Sequence, residues 1–186
     1  MKTLPHYLRT GLRIVFIGYN PAIFSAEAGH YYARPGNAFW KHLYQSGLTD
    51  REVGPSDDNQ LMDEFGFGFV DLCPRPTVRA DELSREELRR GSQRLWDDLG
   101  RHQPRYAVLC GKGIFQHFGT HALGLPRAAL AKRPYGVQPE SVGDTLLHVV
   151  PSSSGLASRW HAERLQLLTE LALQLGPGNN ETSVPG

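Results

Sequence analysis

The side chains best suited to chemistry follow four short apolar segments of the sequence, at residues 13–17, 65–70, 106–109 and 146–150. The first segment leads to Asn20, the second to Asp71, the third to Lys112 and the fourth to a serine-rich loop. Near-continuous apolar segments of this length are typical of parallel strands that are covered on both faces. Because ligands of open parallel sheets bind beyond the carboxyl ends of the strands, all four following loops are candidate site loops.

Asn20 lies in the sequence GYNP, where the glycine and the proline restrict the backbone. Its amide oxygen can accept a hydrogen bond from a water molecule while its NH₂ group donates elsewhere. Because an amide has no useful basicity, Asn20 is suited to positioning a water nucleophile rather than deprotonating it. A simple asparagine turn would explain the same pattern.

Asp71 directly follows the second apolar segment, which is rich in phenylalanine. A carboxylate in this place can act as a general base, accept a hydrogen bond, or cap a turn. Burial among aromatic rings would raise its pKa toward the range in which a general base works. Sequence pattern alone leaves the capping role and the catalytic role equally open.

Residues 22–37 are predicted to form a loop, in which Tyr31 and Tyr32 follow one another between a glycine and a proline. An exposed aromatic ring is a platform on which an unstacked nucleobase can lie. The alternative is that both rings only cover the edge of the sheet.

The fourth loop, PSSSGLA at residues 151–157, is predicted to join a strand to a helix. Serine hydroxyls and backbone N–H groups at a helix start can bind phosphate. Leu156 is suited to act as an apolar wedge between base pairs, or to pack onto the helix as a hydrophobic staple.

Three basic residues in the other loops are candidate DNA contacts. Lys112 lies in GKG, which is not a nucleotide-binding P-loop, and it can contact a DNA phosphate as readily as solvent. Arg75 and Arg79 are further candidate DNA contacts.

Helical patterns alternate with the apolar segments. Asn37 is predicted to cap a helix that ends at Gly47, Ser84 begins a second helix with the capping pattern S-x-x-E, and residues 158–175 form a third. This alternation predicts an α/β fold with right-handed crossovers.

The length of 186 residues suits one compact domain, placed at residues 1–175, followed by a polar tail at residues 176–186 that we expect to be disordered. With a net charge of +1, a nucleic-acid-binding face would have to be local. Cys73 and Cys110 lack metal-ligand spacing and are predicted to be buried free thiols, which excludes a four-thiolate iron–sulfur cluster. Without a membrane-length apolar stretch or a signal-peptide pattern, we expect a cytoplasmic, nucleoid-associated protein.

Taken together, GLRIVFIGYNP, GHYYARPGNAFWKHLYQSGL, RPT at residues 75–77 and PSSSGLA resemble the mismatch-specific uracil-DNA glycosylase family, which includes thymine-DNA glycosylases. The similarity extends in the family's order from about residue 12 to residue 175. The resemblance implies a three-layer α/β/α sandwich around a short, mainly parallel sheet.

The resemblance also implies roles for individual residues. The water-positioning asparagine corresponds to Asn20, and the aromatic ring that stacks on the flipped base corresponds to Tyr32. The other residues expected to contact the base are Gly18, Tyr19, Ser152 and Ser153. The residues expected to contact DNA are Ser25, Lys112, Ser154, Gly155, Leu156 and Ala157, with Leu156 as the plug.

Asp71 departs from the family pattern, since relatives commonly carry asparagine or lysine there. We favour a catalytic role for it, as a base or as a stabiliser of positive charge on the sugar, over reading of the base.

The expected activity is that of a monofunctional, monomeric glycosylase. It would flip uracil and other damaged or mismatched bases out of double-stranded DNA and hydrolyse the glycosidic bond without a metal or cofactor. A non-catalytic nucleic-acid-binding module is the main alternative. A nucleotide hydrolase or flavodoxin-like protein is disfavoured, because no GxGxxG or P-loop pattern is present.

Overall fold

The computed structural model describes residues 2–178 and contains a five-stranded sheet. The strands are β1 Ile14–Gly18, β2 Phe67–Asp71, β3 Tyr106–Cys110, β4 Gly136–Val142 and β5 Thr145–Val150. Their order is β2-β1-β3-β5-β4, and all neighbouring pairs are parallel except β4 with β5. The four apolar segments are the four parallel strands, which confirms the predicted sheet.

The helices lie between the strands along the chain. The α-helices are α1 Ile23–Ala28, α2 Phe39–Gln45, α3 Leu61–Glu64, α4 Arg85–His102, α5 Lys112–His121, α6 Arg127–Ala131 and α7 His161–Leu175. Short 3-10 helices cover Pro55–Asp57, Ala80–Glu82 and Gly155–Trp160. In the part of the chain described here, no helix combines the length and the apolar character needed to cross a membrane.

Alternate residues of each parallel strand belong to two separate hydrophobic clusters. In β1, Phe16 packs in the cluster that contains the buried leucines of α2 and α7, whereas Val15 and Ile17 pack in the cluster beneath α4 and α5. Successive side chains of a strand point to opposite faces, so the sheet needs a helical layer on each side. The α/β/α sandwich is therefore confirmed.

β4 was not predicted from the sequence. As an edge strand it needs no continuous apolar segment, and only Gln138 and Val142 of its residues are buried. Its pairing with β5 shifts register between Val137 and Ser141, around Pro139. Proline lacks the N–H that a regular ladder requires, so it is tolerated at an edge or an irregularity.

The helix ends confirm some predictions and correct others. Ser84 Oγ accepts a hydrogen bond from the backbone of Glu87 at 3.2 Å, and Glu87 accepts one from the backbone of Ser84 at 2.8 Å, as the capping pattern predicts. Asn37 Oδ1 accepts from the N–H of Phe39, so it assists the start of α2, although the helix begins one residue later than an Asn37 cap implies.

Two predicted boundaries were wrong. Residues 22–37 are not one loop, because α1 occupies Ile23–Ala28. The helix predicted at residues 158–175 begins at His161 as α7, because residues 158–160 belong to the 3-10 helix Gly155–Trp160. Cys73 and Cys110 are free and buried, as predicted. Of the tail predicted to be disordered, residues 179–186 lie outside the described residues.

Candidate functional site

A cavity of about 630 Å³ opens beyond the carboxyl ends of β1 and β2 and beside the loop that follows β5. It brings together most of the predicted site residues, which are Gly18, Tyr19, Asn20, Ser25, Tyr32, Asp71, Ser152, Ser153, Ser154 and Leu156. Lys112, Gly155 and Ala157 do not line it. A second cavity of about 610 Å³, around Arg13 and Gly66, holds none of the predicted site residues. The chemistry is therefore expected in the first cavity.

Asn20 is oriented by the segment that follows β2. Its Nδ2 donates to the backbone oxygen of Arg75 and to Thr77 Oγ1, each at 2.8 Å. Thr77 is buried, and its N–H bonds to the backbone oxygen of Pro21. With both amide hydrogens engaged, the amide oxygen of Asn20 is left to accept a hydrogen bond from a molecule in the cavity.

Asp71 ends β2 and pairs in register with Gly18 of β1. A Cβ atom at position 18 would collide with Asp71 Oδ1 and lie 3.3 Å from the hydroxyl of Tyr32, so the carboxyl group occupies space that only glycine leaves free. Among residues 2–178, none donates a hydrogen bond to this carboxylate, and it caps no turn. Burial raises the pKa of Asp71 to about 7, and the charge of Arg94 opposes the rise.

The position of Asp71 is fixed by α4. Arg94 of this helix donates to the backbone oxygens of Asp71 and Leu72. Gly91 packs so closely that a Cβ there would collide with the Leu72 oxygen. The helix therefore satisfies the backbone at the end of β2 and leaves the Asp71 side chain without a partner.

Asp71→Asn is expected to raise the free energy of unfolding at pH 8 relative to the native protein. The pKa rises from 3.8 to about 7 on folding, so the stability that Asp71 contributes is complete below pH 4 and is lost as the pH rises to 7. This loss is on the order of 4 kcal/mol at most, and an uncharged amide avoids it. Urea unfolding of both proteins at pH 4.5 and pH 8 measures the difference. A difference that does not widen toward pH 8 would contradict this prediction.

Tyr31 and Tyr32 both line the cavity, but they differ in burial and in what their rings contact. Tyr31 is a core residue at 2% exposure, and its hydroxyl donates to the backbone of Pro5 at 2.8 Å. Tyr32 has a φ of 51°, and its ring stacks on Phe39 at 3.9 Å with planes 11° apart. A positive φ is unusual for a bulky residue and marks a conformation that its surroundings impose.

The Tyr32 hydroxyl is buried without a hydrogen-bond partner among the described residues. Burial raises the pKa of this phenol well above its ordinary value. The ring therefore supplies a flat, uncharged surface.

Ser25, predicted to contact DNA, is buried, and its hydroxyl accepts a hydrogen bond from the N–H of Ala33 at 3.1 Å. That hydroxyl supports the loop that carries Tyr32.

Leu156 projects from the rim of the cavity with 96% of its surface exposed. The N–H of Leu156 bonds to Ser154 Oγ at 3.3 Å, and Ser153 is buried with its backbone oxygen bound to the N–H of Ala38. A hydrophobic staple would be packed against the helix, so this exposure favours the wedge interpretation.

The two arginines predicted to contact DNA both form salt bridges. Arg75 is paired with Glu87 and Arg79 with Asp81, each at 2.6 Å.

Sequence reasoning missed Arg164 of α7, which is fully buried behind the cavity. Its Nε donates to the backbone oxygen of Pro151 at 3.1 Å, and its Nη1 lies 2.9 Å from His42 Nδ1. The guanidinium also lies 5.5 Å from the ring centroid of Phe39, on which Tyr32 stacks. Arg164 precedes Leu168 by four residues, and this helical spacing would have placed it on the buried face.

The cavity thus combines an oriented amide, an unpaired carboxyl group, an aromatic platform and an exposed leucine at its rim. Comparison with known proteins identifies the family of the chain. The family model of the uracil DNA glycosylase superfamily matches residues 5–175. A solution NMR structure titled a "putative Uracil DNA glycosylase" from Methanosarcina acetivorans superimposes with a TM-score of 0.60 at 20% identity, covering 94% of this chain and 97% of that one. The structural similarity supports the fold, and the family match over nearly the whole described chain shows that the protein belongs to the uracil DNA glycosylase superfamily.

Proposed function

We propose that the protein is a monofunctional DNA glycosylase that removes uracil, and other damaged or mismatched bases such as those opposite guanine. The observation that carries the proposal is the exposed Leu156 at the rim of a cavity that contains Asn20, Asp71 and Tyr32. Membership of the uracil DNA glycosylase superfamily supports glycosylase activity in general.

Base flipping would explain the exposed Leu156 at the rim of the cavity and the ring of Tyr32 inside it. A nucleotide rotated out of the duplex leaves a gap, and an apolar side chain such as Leu156 can fill it. The extruded base would then lie on the face of Tyr32 opposite Phe39, so that the stack of two rings becomes a stack of three. Stacking of this kind contributes roughly 1–3 kcal/mol per base.

Asn20 and Asp71 account for hydrolysis. The free amide oxygen of Asn20 would hold a water molecule against C1′ of the sugar. As the bond from C1′ to the base nitrogen breaks, its electron pair leaves with the base, and the water oxygen forms the new bond to C1′. Ionised Asp71 would accept the proton of that water, or stabilise the positive charge that develops on the sugar.

The residues that line the cavity also support hydrolysis without strand cleavage. The described residues that line the cavity include no lysine, so no side-chain amine is in place to form a Schiff base with C1′. The abasic site should therefore remain intact until alkali is added.

A gel assay on duplexes with a single uracil opposite guanine, followed by alkali, tests the proposal. We expect strand cleavage only after alkali, and parallel duplexes with uracil opposite adenine or thymine opposite guanine establish the range of substrates. Duplex binding with no alkali-sensitive site on any of these would instead indicate a non-catalytic nucleic-acid-binding module.

Leu156→Ala is expected to lower activity most on stable base pairs, less on mismatches and least on single-stranded uracil DNA. Leu156 would shift the equilibrium between the nucleotide stacked in the duplex and the nucleotide flipped out of it. A base in single-stranded DNA does not have to leave a duplex, so it depends less on this side chain. Leu173→Ala is a matched control, because Leu173 is 80% exposed on α7. Single-turnover rates on the three substrates measure the effect. An equal loss on all three would show that Leu156 does not act as a plug.

A further inference from the structure

Stacking uses only the ring of Tyr32, which leaves its hydroxyl without a role. The hydroxyl oxygen is buried, and none of residues 2–178 forms a hydrogen bond with it. Buried polar groups without a partner are rare in folded proteins, because the lost hydrogen bonds to water are not replaced. The Tyr32 hydroxyl is therefore available to a molecule that enters the cavity.

The carboxyl group of Asp71 lies next to this hydroxyl. Gly18 leaves the space between them: a Cβ atom there would collide with Asp71 Oδ1 and would lie 3.3 Å from the Tyr32 oxygen. In the described part of the chain, Asp71 accepts no hydrogen bond at its side chain. An ionised carboxylate only accepts hydrogen bonds, whereas a phenol can donate one. A donor and an acceptor, both unpaired, thus lie side by side in one cavity.

The direction of the Tyr32 hydroxyl is fixed by packing. The ring is stacked on Phe39 at 3.9 Å, and the guanidinium of Arg164 lies 5.5 Å from the ring centroid of Phe39. The φ of 51° at Tyr32 is a conformation that a bulky residue keeps only where its surroundings impose it. A side chain held in this way can position another molecule.

We propose that the Tyr32 hydroxyl donates a hydrogen bond to the water molecule that Asn20 and Asp71 hold for attack on C1′. The inference rests on the proposed glycosylase function and adds a third group to the same reaction. A water molecule has two hydrogens and two lone pairs. Asn20 Oδ1 and Asp71 would accept the two hydrogens, and the Tyr32 hydroxyl would donate to one lone pair. The other lone pair would be directed at C1′, to which the water oxygen forms its new bond.

The other partners available to the hydroxyl fit less well. A base that lies on the face of the Tyr32 ring is above the ring plane, whereas the hydroxyl hydrogen lies in that plane, so the angle to the edge of the same base is poor. Cys110 also lines the cavity near the hydroxyl, but a thiol accepts hydrogen bonds only weakly. Water is therefore the partner that the geometry favours.

Among the titratable groups around Tyr32 and Asp71, only Asp71 changes charge near neutral pH. Its neighbours and those of the Tyr32 phenol are Arg94, Arg164, Tyr31, Cys73 and Cys110. The two arginines stay cationic, and burial raises the pKa of the Tyr31 phenol and of both thiols. The other charged residues that line the cavity are Arg34, Arg79 and Asp81. A hydrogen bond to an ionised carboxylate lowers its pKa, so a less firmly held water should leave the pKa of Asp71 higher.

Tyr32→Phe tests the proposal, because it removes the hydroxyl and keeps the ring that stacks on Phe39. The single-turnover rate on uracil opposite guanine should fall about ten- to a hundredfold, since two groups instead of three orient the water. Affinity for a duplex with a 2′-fluorinated uracil nucleotide, which resists cleavage, should stay within about twofold, because stacking is unchanged. Tyr44→Phe is the matched control: Tyr44 is 44% exposed on α2 and does not line the cavity.

NMR of ¹³C-labelled aspartate gives a readout that needs no substrate, with Asp71→Asn to identify the signal. Burial raises the pKa of Asp71 to about 7 in the native protein, and we expect a higher value in Tyr32→Phe. The acidic limb of the activity profile should move to higher pH by the same amount. Tyr44→Phe should change neither.

The outcomes separate this contact from the glycosylase proposal. If the native protein excises uracil but Tyr32→Phe keeps both the native rate and the native pKa of Asp71, the contact is refuted and the glycosylase stands. If the native protein leaves uracil DNA intact while Tyr32→Phe still raises the pKa of Asp71, the contact stands and the glycosylase fails. A lower rate with an unchanged pKa of Asp71, or weaker binding of the uncleavable duplex at a native rate, would refute the water contact and assign the hydroxyl to substrate binding.

Discussion

Asp71→Asn is expected to lower the single-turnover rate on uracil opposite guanine by roughly 10²–10⁴-fold, the range for loss of a general base. Asparagine nearly preserves the shape of the side chain but removes its basicity. The native side chain lies unpaired in the cavity, and burial raises its pKa to about 7. At neutral pH the carboxyl group is therefore partly ionised and basic enough to accept a proton from water in the transition state.

The pH profile gives this prediction a second, independent readout. Because catalysis requires ionised Asp71, the activity of the native protein should fall as the pH drops through about 7. The asparagine variant has no carboxyl group to titrate there, so its profile should lose that acidic limb. Asp144→Asn is a control, since Asp144 is an exposed aspartate in the turn between β4 and β5.

Two results would remove Asp71 from the role of general base. A rate within about threefold of the native rate would do so directly. A rise in uracil excision together with a changed set of accepted bases would instead assign Asp71 to base reading, because the amide restores a hydrogen-bond donor.

Asn20→Ala is expected to lower turnover by roughly 10²-fold or more while duplex binding changes little, because positioning a nucleophile contributes on that order. Alanine removes the amide oxygen that would hold the water. It also removes the two donors that bind the Arg75 backbone and Thr77. Single-turnover kinetics with saturating protein, together with a binding titration on undamaged duplex, measure both effects.

A control variant separates the water-positioning role from a purely structural one. Thr77→Val removes one acceptor of the Asn20 amide but keeps the amide itself, so its loss of activity should be much smaller. Native-like turnover of Asn20→Ala would exclude Asn20 from the mechanism. Equal losses in the two variants would show that the loop geometry, and not the amide oxygen, matters.

Local patterns in the sequence were sufficient for much of the fold. The four parallel strands could be predicted because a strand covered on both faces must be apolar along its whole length. The start of α4 could be predicted because Ser84 and Glu87 satisfy each other's backbone N–H groups within one turn. β4 and α1 escaped prediction because an exposed edge strand and a six-residue helix leave little periodic signal.

The candidate site divides in the same way. Asn20, Asp71 and Leu156 could be identified by their residue types in the loops that follow the strands, and the family resemblance selected Tyr32 of the two adjacent tyrosines. The sequence could not show that Tyr31 is buried in the core while Tyr32 is only half-buried, nor that Asp71 lacks a hydrogen-bond partner. These properties depend on contacts between residues far apart in the chain, such as Tyr32 with Phe39 and Asp71 with Gly18.

The sequence by itself therefore determined the four parallel strands, the helices that begin near Asn37 and at Ser84, and which side chains stand at the ends of the strands. Only the tertiary structure decided which of those side chains share a cavity, which are paired with a neighbour, and which remain exposed. The spacing of apolar residues shows whether one face of a helix or strand is buried, because burial leaves its pattern within the sequence of that single element. Hydrogen-bond partners, desolvation and ring stacking arise between elements, so Arg164, the pKa of Asp71 and the position of the Tyr32 hydroxyl beside Asp71 became visible only after the layers had packed.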